Sequence, residues 1–119
     1  MNVVSQSRSG SGGAVTIDLS VAQTFTLTTD SDVSYFVLQN VPSSSATTFT
    51  LQIIQDSSTA YTIDVDDFRT TGGSTIGLRW PGGVAPTVTS SAGAVDVYSF
   101  MTFDGGTTLY GVIGGQNFS

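Results

Sequence analysis

No Glu, Lys, His or Cys occurs anywhere in the chain. Without cysteine there is no disulfide staple, no thiol nucleophile and no thiolate metal site. Without histidine, lysine or glutamate the usual general bases are missing, and a Ser-His-Asp arrangement is ruled out. A glycosidase would still need two carboxylates at a set separation, and nothing singles out a pair among the nine Asp residues. The expectation is a protein that is not an enzyme, with no catalytic, cofactor-binding or metal-ligating residues.

Positive charge is almost as scarce. Only Arg8, Arg69 and Arg79 oppose the nine Asp, for a net charge of −6. Binding to a phosphate backbone needs clustered Lys and Arg, and an anionic membrane surface needs the same, so neither partner fits. Charged residues make up 10% of the chain, where about a quarter is usual. Solubility then rests on hydroxyls and amides. No stretch is long and apolar enough to span a bilayer. The start, Met-Asn-Val-Val-Ser-Gln-Ser-Arg, lacks the basic and apolar segments of a secretion signal. The expectation is synthesis in a cytoplasm, with any outside duty following by another route such as lysis.

What is present points to strands. The 119 residues suit one domain. Ser and Thr make up about thirty per cent of the chain, and strong helix formers are few beside the β-branched and aromatic residues. Residues 1–13, rich in Ser and Gly from Ser5, read as a flexible or extended N-terminal arm, and 14–119 as a single β domain. From Ala14 onward apolar and polar residues alternate: Val15, Ile17 and Leu19; Phe25 and Leu27; Phe49, Leu51 and Ile53; Tyr61, Ile63 and Val65. The run from Val33 to Val41 is nearly continuous and reads as a strand covered on both faces. Asp30-Ser31-Asp32, Pro42-Ser43-Ser44-Ser45 and Ser57-Ser58-Thr59 read as turns. From Asp66 to Gly93 the periodicity is weak, giving a long excursion with room for one short strand. Val95 to Phe103 and Leu109 to Ile113 then form a hairpin around Asp104-Gly105-Gly106-Thr107. About seven short strands separated by regular turns imply an antiparallel β-sandwich, jelly-roll-like.

Few residues carry chemistry. Asp64 and Asp66, on one strand face, could offer oxygen ligands to Ca²⁺, but they lack the spacing of an EF-hand loop, and a solvated strand end is the plainer reading. Trp80, followed by Pro81, Gly82 and Gly83, cannot continue a central strand. It reads either as a lid on one end of the sandwich or, with Tyr35, Tyr61 or Tyr110, as an exposed anchor for a sugar ring or protein.

Two groups of segments carry a resemblance. Trp80-Pro81-Gly82-Gly83 through Pro86-Thr87 to Val95-Asp96-Val97, and Phe103-Asp104-Gly105-Gly106-Thr107-Thr108 up to Tyr110-Gly111, look like a module of bacteriophage virion proteins. Phe25-Thr26-Leu27-Thr28, Val41-Pro42 and Phe49-Thr50-Leu51 fit the same pattern, so the likeness spans most of the chain from Ala14. It resembles tail-fibre C-terminal domains and small stand-alone capsid decoration proteins, notably of phages of cyanobacteria and other marine bacteria. One departure is that Leu109, not an aromatic, precedes Tyr110. The resemblance implies a virion structural protein and transfers no catalytic residue. The expected partners are the major capsid protein or other virion subunits, with homo-oligomerisation, a trimer among the options. The alternative is a receptor-binding tip that attaches to host surface glycan. The partner contacts expected are Asn2, Val3, Val4 and Arg8 in the arm, Phe36, Tyr98 and Phe100 as strand residues facing away from the core, and Trp80.

Overall fold

The computed structural model describes residues 3–7, 14–20, 22–29, 31–43 and 46–118, with only the backbone described for 3–7. Among the described residues nine strands carry the fold: β1 (Val3–Ser7), β2 (Ala14–Asp18), β3 (Thr24–Thr28), β4 (Tyr35–Gln39), β5 (Thr47–Ile54), β6 (Phe68–Arg69), β7 (Gly77–Arg79), β8 (Val95–Thr102) and β9 (Thr108–Phe118). The one helical element among the described residues is a short 3-10 turn at Pro81–Gly83. The protein is all-β, as the alternation predicts.

The strands form two sheets, ordered β1-β3-β5-β8-β9-β7 and β2-β4-β6. Through β6 the chain alternates between them, so sheet neighbours are two elements apart in sequence. Val3 pairs with Thr24 and Thr24 with Thr50 in the larger sheet, while Ala14 pairs with Tyr35 in the smaller. These pairings are parallel, as are β4 with β6 and β7 with β9. Among the named strands only β5–β8 and β8–β9 pair antiparallel. The antiparallel arrangement expected from the sequence therefore holds for one corner of the molecule, and the jelly-roll connectivity built on it does not describe the rest. A parallel pair needs a crossover, commonly a helix. Through β6 a strand of the opposite sheet serves as the crossover, so the turns there are real but do not reverse the chain within one sheet. Within the segment expected as an arm, Val3–Ser7 is the edge strand of the larger sheet.

The inner faces follow period two and are largely apolar. Val15 and Ile17 on β2, Phe25 and Leu27 on β3, and Phe49, Leu51 and Ile53 on β5 are all buried. Strand β4 follows the same rule. Phe36 and Leu38 are buried while Tyr35, Val37 and Gln39 are half-buried on the outer side, so this strand is covered fully on one face only. The sheets meet through a cluster of rings. Phe68 of the smaller sheet lies 5.0 Å from Phe36 beside it, and 6.2 and 4.9 Å from Phe49 and Phe100 across the core. Such offset and tilted pairs favour packing beyond the area they bury.

The β8–β9 hairpin follows its sequence signal. Gly105 and Gly106 take φ of 72° and 94°, values at which a Cβ would be strained. Asp104 Oδ1 accepts from the backbone N–H of Thr107 and Thr108 and from Thr102 Oγ1. The Thr108 N–H, first among these, holds the Asp104 carboxyl below its ordinary value.

Candidate interaction surface

Because period two sends alternate residues outward, strand register fixes what the larger sheet shows on its outer face. One row across the strands reads Thr48, Met101, Tyr110 and Arg79. The next reads Thr24, Thr50, Ser99 and Val112. Thr26, Gln52 and Val97 follow, then Thr28, Ile54 and Val95. Hydroxyls and amides cover the β3–β5 side, where Thr26 Oγ1 donates to Gln52 Oε1 at 3.1 Å and Thr50 and Ser99 hydroxyls lie 3.4 Å apart. Aliphatic and aromatic groups cover the β8–β9 side. Arg79, at the far corner, is the one charged residue in these rows.

The carboxylates lie elsewhere, and each described one except Asp96 is at or near the surface, in a turn or at a strand end. Asp18 Oδ1 accepts from Ser20 N and Oγ and from Asn40 Nδ2, tying the end of β2 to the end of β4. The Asn40 amide is the main cause that holds Asp18 below its ordinary value. Asp56 is lowered in the same direction, chiefly by the Ser58 hydroxyl. Asp64 Oδ1 caps Asp66 N–H at 2.9 Å, and Asp66 Oδ1 accepts from Trp80 Nε1 at 2.8 Å. The pair weighed as calcium ligands is thus engaged separately, one in a turn and one under the indole. Among the described residues no three carboxylates gather to hold a metal ion. Asp67 grips Arg69 through two hydrogen bonds of 3.0 Å, and the guanidinium sits 4.0 Å over the Tyr35 ring.

The expected contact residues are mostly elsewhere than expected. Phe36, Tyr98 and Phe100 are each 0% exposed, so they face the core and not a partner. Trp80 is 7% exposed, with edge contacts to Tyr98 and Phe100. It is the lid and not the exposed anchor. Its ring lies directly beneath Gly111, where any Cβ would fall 2.4 Å from the indole. Val3 and Val4 belong to β1; their side chains, like Asn2 and Arg8, lie outside the described residues. Sequence reasoning did not single out Phe103, 64% exposed, which meets the half-exposed Tyr110 edge-on at 5.9 Å. Nor did it single out Arg79.

Asp96 was also missed as a structural centre. It is 2% exposed, yet it stays acidic. Burial pushes its carboxyl up, and the N–H groups of Thr89 and Asn117 together with the Tyr98 hydroxyl outweigh that and bring it below its ordinary value. Tyr98 is shifted upward by its burial and by this carboxylate.

No protein-family model, curated protein or solved structure matches the chain. Among the described residues no helix is long and apolar enough to cross a membrane.

Proposed function

We propose that the chain is a non-enzymatic structural protein of a bacteriophage particle, a two-sheet sandwich made in the host cytoplasm and carried on the particle exterior. Its role is that of a capsid decoration protein bridging neighbouring shell subunits, acting as a homo-oligomer. The observation that carries this reading is the outer face of the larger sheet, whose rows hold hydroxyls, amides and aliphatics with a single corner charge. Interface centres are depleted of charge in the same way. The virion-like segments around Trp80 and Asp104 supply the biological setting.

The size of the face decides how such a protein would bind. At strand and residue spacings of ~4.8 and ~3.3 Å, the four rows span about 400 Å². A stable standard interface takes about 800 Å² from each partner. One face alone is therefore a weak contact, and firm attachment comes from several copies engaged at once. The test is a double substitution, Thr50→Asp with Val97→Asp, which puts charge at the centre of the face without touching the core. Occupancy on purified particles should fall sharply while circular dichroism and melting stay near wild type. Unchanged occupancy, or absence of the protein from particles, would refute the reading.

The exposed Tyr110 and Phe103 favour a second reading, attachment to host surface glycan from the tail. Copy number separates the two: many copies over the shell for decoration, few at the tail for attachment.

A further inference from the structure

Arg79 has no ion-pair or hydrogen-bond partner among the described residues, whereas Arg69 is clamped by Asp67. An unpaired guanidinium is unremarkable on a basic surface. Here it stands alone on a neutral face of a chain carrying −6. It borders a hollow of about 300 Å³ whose other walls are Trp80, Pro81, Tyr110, Gly111 and Val112. Glycine at 111 lets the indole lie against the strand there, since a Cβ would fall 2.4 Å from the ring. Tyr110 is 42% exposed, and its hydroxyl also has no partner among the described residues. Phe103 braces that ring from the side.

We propose that this corner is a subsite for a carboxylate-bearing sugar residue, with the guanidinium on the carboxylate and the C–H face of the pyranose on Tyr110. The chemistry matches group by group. A guanidinium fork fits a carboxylate with two parallel hydrogen bonds. An exposed tyrosine offers an apolar face and a polar tip, which suits a ring that is apolar on its faces and hydroxylated at its rim. The row next to Tyr110 continues through Thr50 and Ser99, so adjoining sugars would meet hydroxyls and no charge. One cation matches one carboxylate. A phosphate polymer would need several cations against the net charge and does not fit. A second hollow of about 360 Å³ shares Arg79 and Trp80 but is bordered by Asp66, which would repel the same ligand. The assignment concerns this corner alone and stands apart from the shell reading, since it holds or fails whatever the particle occupancy.

A galacturonate trisaccharide and its methyl ester, titrated into isotope-labelled protein and followed by NMR, test the idea because esterification caps each carboxylate with a methyl group, removes its charge and leaves the sugar rings and hydroxyls unchanged. The acid should bind in the millimolar range, with shifts confined to the surroundings of Tyr110, Val112 and Arg79. The ester should bind about tenfold more weakly, the difference expected for one charge-assisted contact. Arg79→Gln should lose about tenfold on the acid and nothing on the ester. Tyr110→Ala should weaken both, and Arg69→Gln, on the opposite sheet, should leave both unchanged. Equal binding of acid and ester, indifference to Arg79→Gln, or no localised shifts at millimolar ligand would each overturn the proposal.

Discussion

The middle of the two-sheet core and its β3–β5–β8 end solve the same burial problem by opposite chemistry. In the middle, Phe36, Phe49, Phe68 and Phe100 form a ring cluster with no polar atom among their side chains. At the end where β3 and β5 finish and β8 begins, Thr29, Gln55 and Asp96 are buried instead. Gln55 Oε1 accepts from Thr29 Oγ1 and Tyr61 N–H, and its Nε2 donates to the carbonyls of Tyr61 and Thr89. Asp96 takes the N–H of the same Thr89 and that of Asn117, while Gln116 bridges Tyr98 Oη and the Thr87 carbonyl. The middle needs shape and volume. The end needs donors and acceptors in register, because it must fasten irregular backbone on either side of β8. The long excursion is therefore ordered by side-chain hydrogen bonds where strand ladders are short.

Removing volume from the middle should be the more damaging change. Phe68→Ala deletes a ring that is 0% exposed and touches three others. A loss of about 3–5 kcal/mol is expected, a large share of the total for a domain of this size. Urea denaturation would read it as a large fall in midpoint, and a loss under about 1 kcal/mol would show that the cluster repacks freely. At the polar end Asp96→Asn keeps shape but replaces one acceptor oxygen by a donor. Either amide orientation then faces a backbone N–H, from Thr89 or from Asn117. A loss of about 1–3 kcal/mol follows from one buried unsatisfied donor. Hydrogen exchange should show protection lost around Thr87–Thr89 and Gln116–Asn117 before it is lost in β3 and β5.

The same contrast explains what could be read from the sequence. Apolar alternation located the inner residues of β2, β3 and β5, and it placed Thr50 and Gln52 correctly on the outside. The Asp-Gly-Gly-Thr turn marked the one true hairpin. Strand direction was not legible, because period two is the same in parallel and antiparallel pairing and a turn does not say which sheet the next strand joins. Strand β8 was read in the wrong phase for a physical reason. Asp96 shares its phase with Tyr98 and Phe100, and a carboxylate ordinarily marks the wet side of a strand. The other phase, that of Val95 and Val97, carries no charge. Only the donors that surround Asp96 reverse this, and they come from Thr89 and Asn117, which lie 7 and 21 residues away. For Trp80 the lid reading holds and the anchor reading does not, and the residues that decide it, Gly111 and Asp66, are distant in sequence.

The smallest effect expected, and the sharpest on the polar end, is the pH dependence of stability. Asp96 titrates below its ordinary value of 3.8 in the folded protein. A carboxyl with a depressed folded value binds its proton more readily once unfolded, so stability rises with pH through this range. The contribution is fully present above about pH 5 and is lost as pH falls through the unfolded and then the folded value. Asp18, Asp56 and Asp104 shift in the same direction and add to the slope from exposed positions. Thermal melts at neutral pH, pH 4 and pH 3 should therefore show wild type declining steadily on the acid side. Asp96→Asn should decline less, because protonated Asp96 already resembles the amide in turning one oxygen from pure acceptor to donor. The gap between the two proteins should narrow towards pH 3. Parallel curves would mean that Asp96 keeps its proton affinity on unfolding, and that the polar end of the core is held by packing, as the middle is.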